Sequence, residues 1–391
     1  MSMKHVVLRS VTGGGLESMP TAGPATLAPK LSVDVQLETL QGGEAAELAR
    51  EKGVVGVAPV IPMRLIAPVN IAAVATPMAG STWGVQAVKA DTSPFDGDGI
   101  IPAVLDTGID PNHPAFAGVD LVRKNFTNAA DDDEHGHGTH CAGTIFGRSV
   151  SGTRIGVAPG VKRAVIGKVL GGNGGGSDVI MQAIQWAVQN GANVISMSLG
   201  IDFPGFVKEL EGQGLPTEMA TSIALEGYRT NILLFEKLAS LVQAGGAFMQ
   251  ATVLVAAAGN ESQRDVNPDF EISVSPPAVA TGIVSVAALD TGAGGFTIAP
   301  FSNVGAQVSG PGVGVISAKR GGGLTAMSGT SMATPHVAGV ATLWAQKLKI
   351  ANQLNASLLA TRVVGSGTTT GLKVGFDPND IGAGIVQAPQ A

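Results

Sequence analysis

At 391 residues, with 45% hydrophobic and only 14% charged side chains, the chain has the length for one large packed domain plus a smaller one and is too apolar to be disordered. A net charge of −6 with no block of basic residues argues against a nucleic-acid partner, and no apolar stretch reaches the roughly 18 residues of a membrane helix. The single cysteine, Cys141, excludes an internal disulfide, while 55 glycines point to many turns and close packing.

Residues 1–80 read as a separate β-α-β unit. The N-terminus has no apolar core long enough for a secretory leader, so the expectation is a cytoplasmic product or one exported by a non-classical route. Ser32–Leu37 alternates like a strand, Glu44–Glu51 favours helix, and Val54–Ile66 returns as an apolar, β-branched strand interrupted by Pro59 and Pro62. Ala67–Gly80, rich in Ala and Pro without a period, reads as an extended linker.

From Trp83 the pattern changes. Short apolar runs at Ile100–Leu105, Ala164–Leu170, Asn193–Leu199, Thr252–Ala258 and Ile283–Ala288 alternate with helical patterns such as Ser177–Gln189. Buried runs separated by helices predict an α/β fold, a mostly parallel sheet with helices on both faces, whose ligands bind beyond the carboxyl ends of the strands. Ile201–Ala251 is an unusually long crossover. It predicts an amphipathic helix at Thr221–Val242, packed on the sheet rather than serving as a lid. The apolar run Val337–Trp344 predicts a buried helix with Ser331 at or near its N-terminus, where free N–H groups and the helix dipole favour a developing negative charge. A serine there is ordinarily a cap; what raises it above that is its company.

Asp106 ends a buried run, where a carboxylate points into the ligand crevice and can orient an imidazole. His137, flanked by glycines, opens a run of small residues that reads as a tightly packed helix. A histidine titrating near neutrality can take a proton from Ser331 and later deliver it to a leaving amine. Asn260 follows another buried run, and its amide can donate to an oxyanion. Each lies at the edge of a predicted sheet element, which is the nucleophile–base–orienter arrangement of acyl transfer. The order Asp…His…Ser differs from that of α/β-hydrolases, and no Gly-x-Ser-x-Gly elbow is present. The rival reading takes His135, His137 and His140, near Asp131–Glu134, as metal ligands. Without a His-Glu-x-x-His motif, no metal site is expected there. Cys141, among small residues, reads as a small buried hydrophobe.

Five segments, Asp106-Thr-Gly-Ile-Asp110, His137-Gly-Thr-His-Cys-Ala-Gly143, Ser198-Leu-Gly200, Ala258-Gly-Asn260 and Gly329-Thr-Ser-Met-Ala-Thr-Pro-His336, resemble in order the motifs of subtilisin-like serine proteases. The resemblance implies a serine endopeptidase with Ser331 as nucleophile, His137 as base then acid, Asp106 as orienter, and Asn260 donating to the oxyanion together with the Ser331 N–H. It implies that Ser198, Leu199 and Gly200, with Gly171 and Gly172, clasp a peptide or protein substrate as an added β-strand. It implies a pocket beside the scissile bond lined by Ala257, Ala258 and Gly259, with Glu261 at the rim. Residues 1–80 resemble the family's propeptide, an intramolecular inhibitor cleaved near Pro77–Ser81, ahead of a catalytic domain at 81–391. The chemistry requires no cofactor. Structural calcium is common in such proteins, yet the loop Gly147–Arg154 lacks the oxygen ligands for it. A monomer is expected, with neither nucleic acid nor membrane as partner. The alternative is a subtilase fold that binds or ligates peptides without hydrolysing them.

Overall fold

The computed structural model describes residues 2–10, 33–41, 43–69, 80–172, 174–245 and 250–391. A strand covered on both sides must send apolar side chains both ways, and the predicted runs do so. Val104, Ile166, Val194, Val253 and Val255 enter one core, while Ala103, Leu105, Val165, Ile195 and Leu254 enter the other. They belong to an eight-stranded sheet that runs from Gly295–Ile298 through Ile283–Gly292, Val253–Ala257, Val194–Met197, Pro102–Asp106 and Arg163–Lys168 to Asp120–Asn125, with Val308–Pro311 also paired to Ile283–Gly292. Only Gly295–Ile298 is antiparallel to its neighbour. The α/β expectation therefore holds.

On the first face lie the helices His137–Phe146 and Thr330–Ile350, which contribute Cys141, Ala142, Ile145, Met332, Ala333 and Val337. On the second lie Ser177–Gln189 and Thr217–Gly245, contributing Ile180, Ile184, Leu234, Phe235 and Leu238. The crossover helix is longer than its amphipathic stretch suggested, because its outer side also has a partner. The N-terminal residues form an antiparallel sheet ordered Val33–Leu40, Met3–Ser10, Val54–Pro59, and it rests on these two helices. Lys237 Nζ donates to Val55 O (2.6 Å), Asn231 Nδ2 to Pro59 O (2.8 Å) and Gln185 Nε2 to Asp34 Oδ1 (3.4 Å). The central strand Met3–Ser10 escaped sequence reading. Val6 and Leu8 face the large core and Val7 the small one with Leu40 and Leu48.

The single strand expected at Val54–Ile66 is two. Pro59 and Pro62 carry no N–H, and between them the chain leaves the N-terminal sheet. Pro62–Leu65 then pairs antiparallel with both Gly175–Gly176 and Leu199–Ile201 of the large domain. The expected linker is not all linker either, since Ala67–Val69 continues along the same cleft. Residues 70–79, which include most of the expected processing segment, lie outside the described residues. Among the described residues, no helix is long and apolar enough to cross a membrane.

Candidate active site

The cleft lies where the carboxyl end of Pro102–Asp106 meets the starts of the two first-face helices. Asp106 is the last residue of its strand, and His137 is the first residue of its helix. Glycine permits this approach: a Cβ on Gly138 would stand 2.2 Å from Gly108 O and 3.2 Å from the Asp106 Cβ. His137 Nδ1 donates to Asp106 Oδ1 at 2.8 Å with both side chains buried, and Asp106 Oδ1 also accepts from Thr107 N (2.7 Å). Burial works against the charged imidazolium, but the neighbouring Asp106 carboxylate outweighs it and holds the His137 pKa well above its ordinary value. His137 Nε2 is buried and, among the described residues, without a hydrogen-bond partner.

Ser331 is the second residue of Thr330–Ile350, as the motif predicted. Its carbonyl accepts from Ser198 Oγ (3.2 Å) and faces Cys141 Sγ (3.4 Å), which is itself 3.7 Å from His137 Nδ1. Ser331 and the histidine–aspartate pair thus belong to one cluster. Burial pushes the Cys141 thiol up, keeping it neutral. Asn260 is oriented from behind: its Oδ1 accepts from Thr330 N and Thr330 Oγ1, both at 2.8 Å, leaving Nδ2 aimed into the cleft.

The chain's own residues fill that cleft. Ile66 N donates to Ser198 O (3.3 Å), Ser331 Oγ donates to Ile66 O (2.6 Å), Asn260 Nδ2 donates to Ala67 O (2.9 Å), and Val69 N donates to Ser328 O (2.7 Å). Leu199 and Gly200 pair with the chain's own Leu65 and Arg64. On the other side the expectation needs correction. Gly175 and Gly176 pair with Met63 and Pro62, whereas Gly171 is bonded back to Gly174 in a turn. Gly171 and Gly172 instead line a cavity of about 580 Å³ beside the strand, with Lys168, Leu170 and Glu134. In a run of near-continuous glycine, residue type does not set the pairing register.

The pocket prediction also shifts. Gly200 supplies a wall, since a Cβ there would sit 3.6 Å from the Ile66 side chain. Ala257 and Ala258 are wholly buried, Ala258 packing with Ala287 and Ala306. Gly259 leaves room for Asn303, whose amide donates to Glu261 Oε2 (2.7 Å). Glu261 accepts from Arg64.

Three supporting residues were missed. Asp133 is buried and accepts from Thr107 Oγ1, Thr139 Oγ1, Thr139 N and Gly136 N, tying the Asp106 loop to the start of the His137 helix. Burial alone would raise its pKa; the hydrogen bonds from Thr139, Gly136 and Thr107 outweigh burial and keep it below the ordinary carboxylate value. Lys168, buried beside Asp106 in the sheet, holds the same loop through Ala130 O and Asp132 O. Arg64 is the third. The histidine metal cluster does not assemble: His140 Nε2 bonds Val315 O, and burial drives the His140 pKa to about 3. The acidic run is likewise engaged, Asp132 with Arg123 and Glu134 with Lys168. Among the described residues, the grouping with metal-ligand spacing is Asp106, His137 and Cys141.

Known proteins of one family resemble this chain. The model of the subtilase family matches residues 97–373. Subtilisin DY of Bacillus licheniformis is 31% identical over 295 residues, 74% of this chain and 92% of that protein. Subtilisin Savinase of Lederbergia lenta is 34% identical over 304 residues, covering 73% and 95%, and an alkaline protease of Alkalihalobacillus alcalophilus is 35% identical over 312 residues, covering 75% and 69%. The chain belongs to the subtilase family and is a serine endopeptidase.

Proposed function

We propose that the chain hydrolyses peptide bonds through Ser331, His137 and Asp106, and that residues 1–80 hold it as a self-inhibited zymogen ahead of a catalytic domain at 81–391. In this reading Ser331 Oγ attacks the substrate carbonyl carbon while its proton passes to His137 Nε2, and Asp106 stabilises the imidazolium that forms. Asn260 Nδ2 and the Ser331 N–H receive the oxyanion. Collapse of the tetrahedral intermediate breaks the C–N bond, and the leaving amine takes its proton from His137. Water, deprotonated by the same histidine, then releases the acyl group and restores Ser331. No cofactor enters any step.

The observation that carries the reading is the strand already in the cleft. Ser331 and Asn260 close on successive carbonyls of one extended segment whose flanks are paired on both sides, which is how a peptide substrate would lie. The pose also accounts for inhibition. The Ser331 hydroxyl donates to the Ile66 oxygen instead of facing the carbon, and the Asn260 amide is spent on the next carbonyl, Ala67. Pro68 confines Ala67 to extended backbone, opposing the rotation that would bring Ile66 O to Asn260.

A fluorophosphonate probe should label Ser331 in the purified chain and not in Ser331→Ala. Intact mass and N-terminal sequencing over time should show self-cleavage near Pro77–Ser81 that both Ser331→Ala and His137→Ala abolish. Cleavage persisting in both variants would refute self-processing.

A further inference from the structure

We propose that Asp202 and Glu261 form an acidic clamp that selects substrates with Arg or Lys two residues before the residue whose carbonyl faces Ser331. The inference rests on the protease reading above and adds the side chain that the cleft reads.

Arg64 stands in for such a substrate residue. With Ile66 at Ser331 and against Gly200, Arg64 is two positions upstream in the same strand and pairs through its backbone with Gly200. Its guanidinium reaches Glu261 Oε1 at 3.1 Å and Asp202 Oδ1 at 3.4 Å. The two acids come from different segments, Glu261 just after Asn260 and Asp202 at the root of the long crossover, and the guanidinium bridges them.

Neither carboxylate depends on Arg64 for its position. Asp202 caps the helix Phe203–Gly212, accepting from Gly205 N at 3.1 Å. Glu261 is held by the Asn303 amide on Oε2, which leaves Oε1 toward the cleft. A departing N-terminal strand would leave two fixed anions facing one position, and their mutual repulsion is relieved by a cation there. Both acids are only partly exposed, at 28% and 34% of side-chain area, so screening by water is incomplete. Main-chain pairing admits any sequence; this pair supplies a charge test at one position.

The test uses the full chain carrying Arg64→Ala, which empties the clamp and loosens the cleft strand. Four fluorogenic peptides with the sequence Met-X-Leu-Ile, where X is Arg, Lys, citrulline or Ala, are compared by kcat/KM. The Arg peptide should exceed its neutral isostere citrulline by about fivefold, the scale of two partly exposed ion pairs, and the ratio should shrink in 1 M salt. Adding Asp202→Asn and Glu261→Gln, which keep the helix cap and the Asn303 bond, should bring it to about unity. Hydrolysis by Arg64→Ala should also exceed that of the unaltered chain. Equal rates for Arg and citrulline, or a preference that survives both added substitutions, would overturn the clamp as a substrate site. Fluorophosphonate labelling of the same protein separates the two readings: labelled but indifferent to X overturns this inference alone, whereas neither labelled nor hydrolytic overturns both.

Discussion

The two faces of the central sheet bear different kinds of contact. Beneath the proposed catalytic residues the helices approach through glycine. A Cβ on Gly138, Gly143 or Gly339 would fall 2.2, 2.5 or 2.5 Å from Gly108 O, Ser317 Oγ or Val157 Cβ. On the opposite side the N-terminal sheet sits on its two helices through larger side chains and polar ends, with Leu234 against Gly56 and Lys237 and Asn231 reaching backbone carbonyls. Close-packed backbone fixes geometry to a fraction of an ångström but has no slack. Longer side chains ending in hydrogen bonds can exchange those bonds for water. The face beneath the proposed catalytic residues is thus the tighter of the two, and under the zymogen proposal the other is the one that would have to come apart.

Substitutions can break this contrast at several depths. Ser331→Ala and His137→Ala should each lower peptide turnover by about a millionfold, the scale of such losses in subtilisin, while thermal unfolding shows the fold intact. Turnover within tenfold of the parent would remove the proposed nucleophile and base. Asn260→Ala should lower kcat by about 10²–10³, again the subtilisin scale, with little change in KM. On the rigid face, Gly138→Ala has no room for its methyl against a backbone oxygen. It should lower stability by about 1–3 kcal/mol and misplace His137, read together as a fall in Tm and in kcat. An unchanged Tm would mean that this face has the slack denied to it here. On the covering face, Leu234→Ala should lower the Tm of the full chain but raise its basal hydrolysis, because it loosens the N-terminal sheet. A parallel loss of activity would show that this face also supports the chemistry.

The pH profile sharpens the same picture. Only neutral His137 can accept the Ser331 proton, and Asp106 raises its pKa, so kcat/KM should climb along a limb centred above 6.5. A rate flat from pH 5 to 9 would reject the assignment. The sign for stability is opposite. A histidine whose folded pKa is raised stabilises the fold fully below its unfolded pKa near 6.5, and that contribution is lost as pH rises through the folded value. The pH that favours activity therefore erodes this part of the stability, which denaturant titrations at pH 6 and 9 should show in Ser331→Ala, where self-cleavage cannot intervene.

Much of the architecture was legible because it is local. Runs such as Val253–Ala257, apolar at every position, announce a strand buried on both faces, and the small residues after His137 and Ser331 announce helices that pack closely. Met3–Ser10 was overlooked because one short apolar segment near a terminus has no neighbouring pattern to frame it. Asp133 was hidden in an acidic run: four consecutive acids look like a solvated surface, and only the fold shows that the third is buried on Thr107 and Thr139.

By itself the sequence determined the sheet, the helices that carry His137 and Ser331, and the identity of the four residues proposed for catalysis, since each signal lies within a few neighbouring positions. Only the tertiary structure decided what occupies the cleft. Strand pairing is made by backbone groups that every residue shares, so nothing in Pro62–Leu65 distinguishes a strand of the N-terminal sheet from one laid across Ser331. Nor does a glycine run reveal that Gly175 and Gly176, rather than Gly171 and Gly172, take the partner. The contacts of Arg64 with Asp202 and Glu261 span 138 and 197 residues of chain, and that distance in sequence is why they emerge only when the chain is folded.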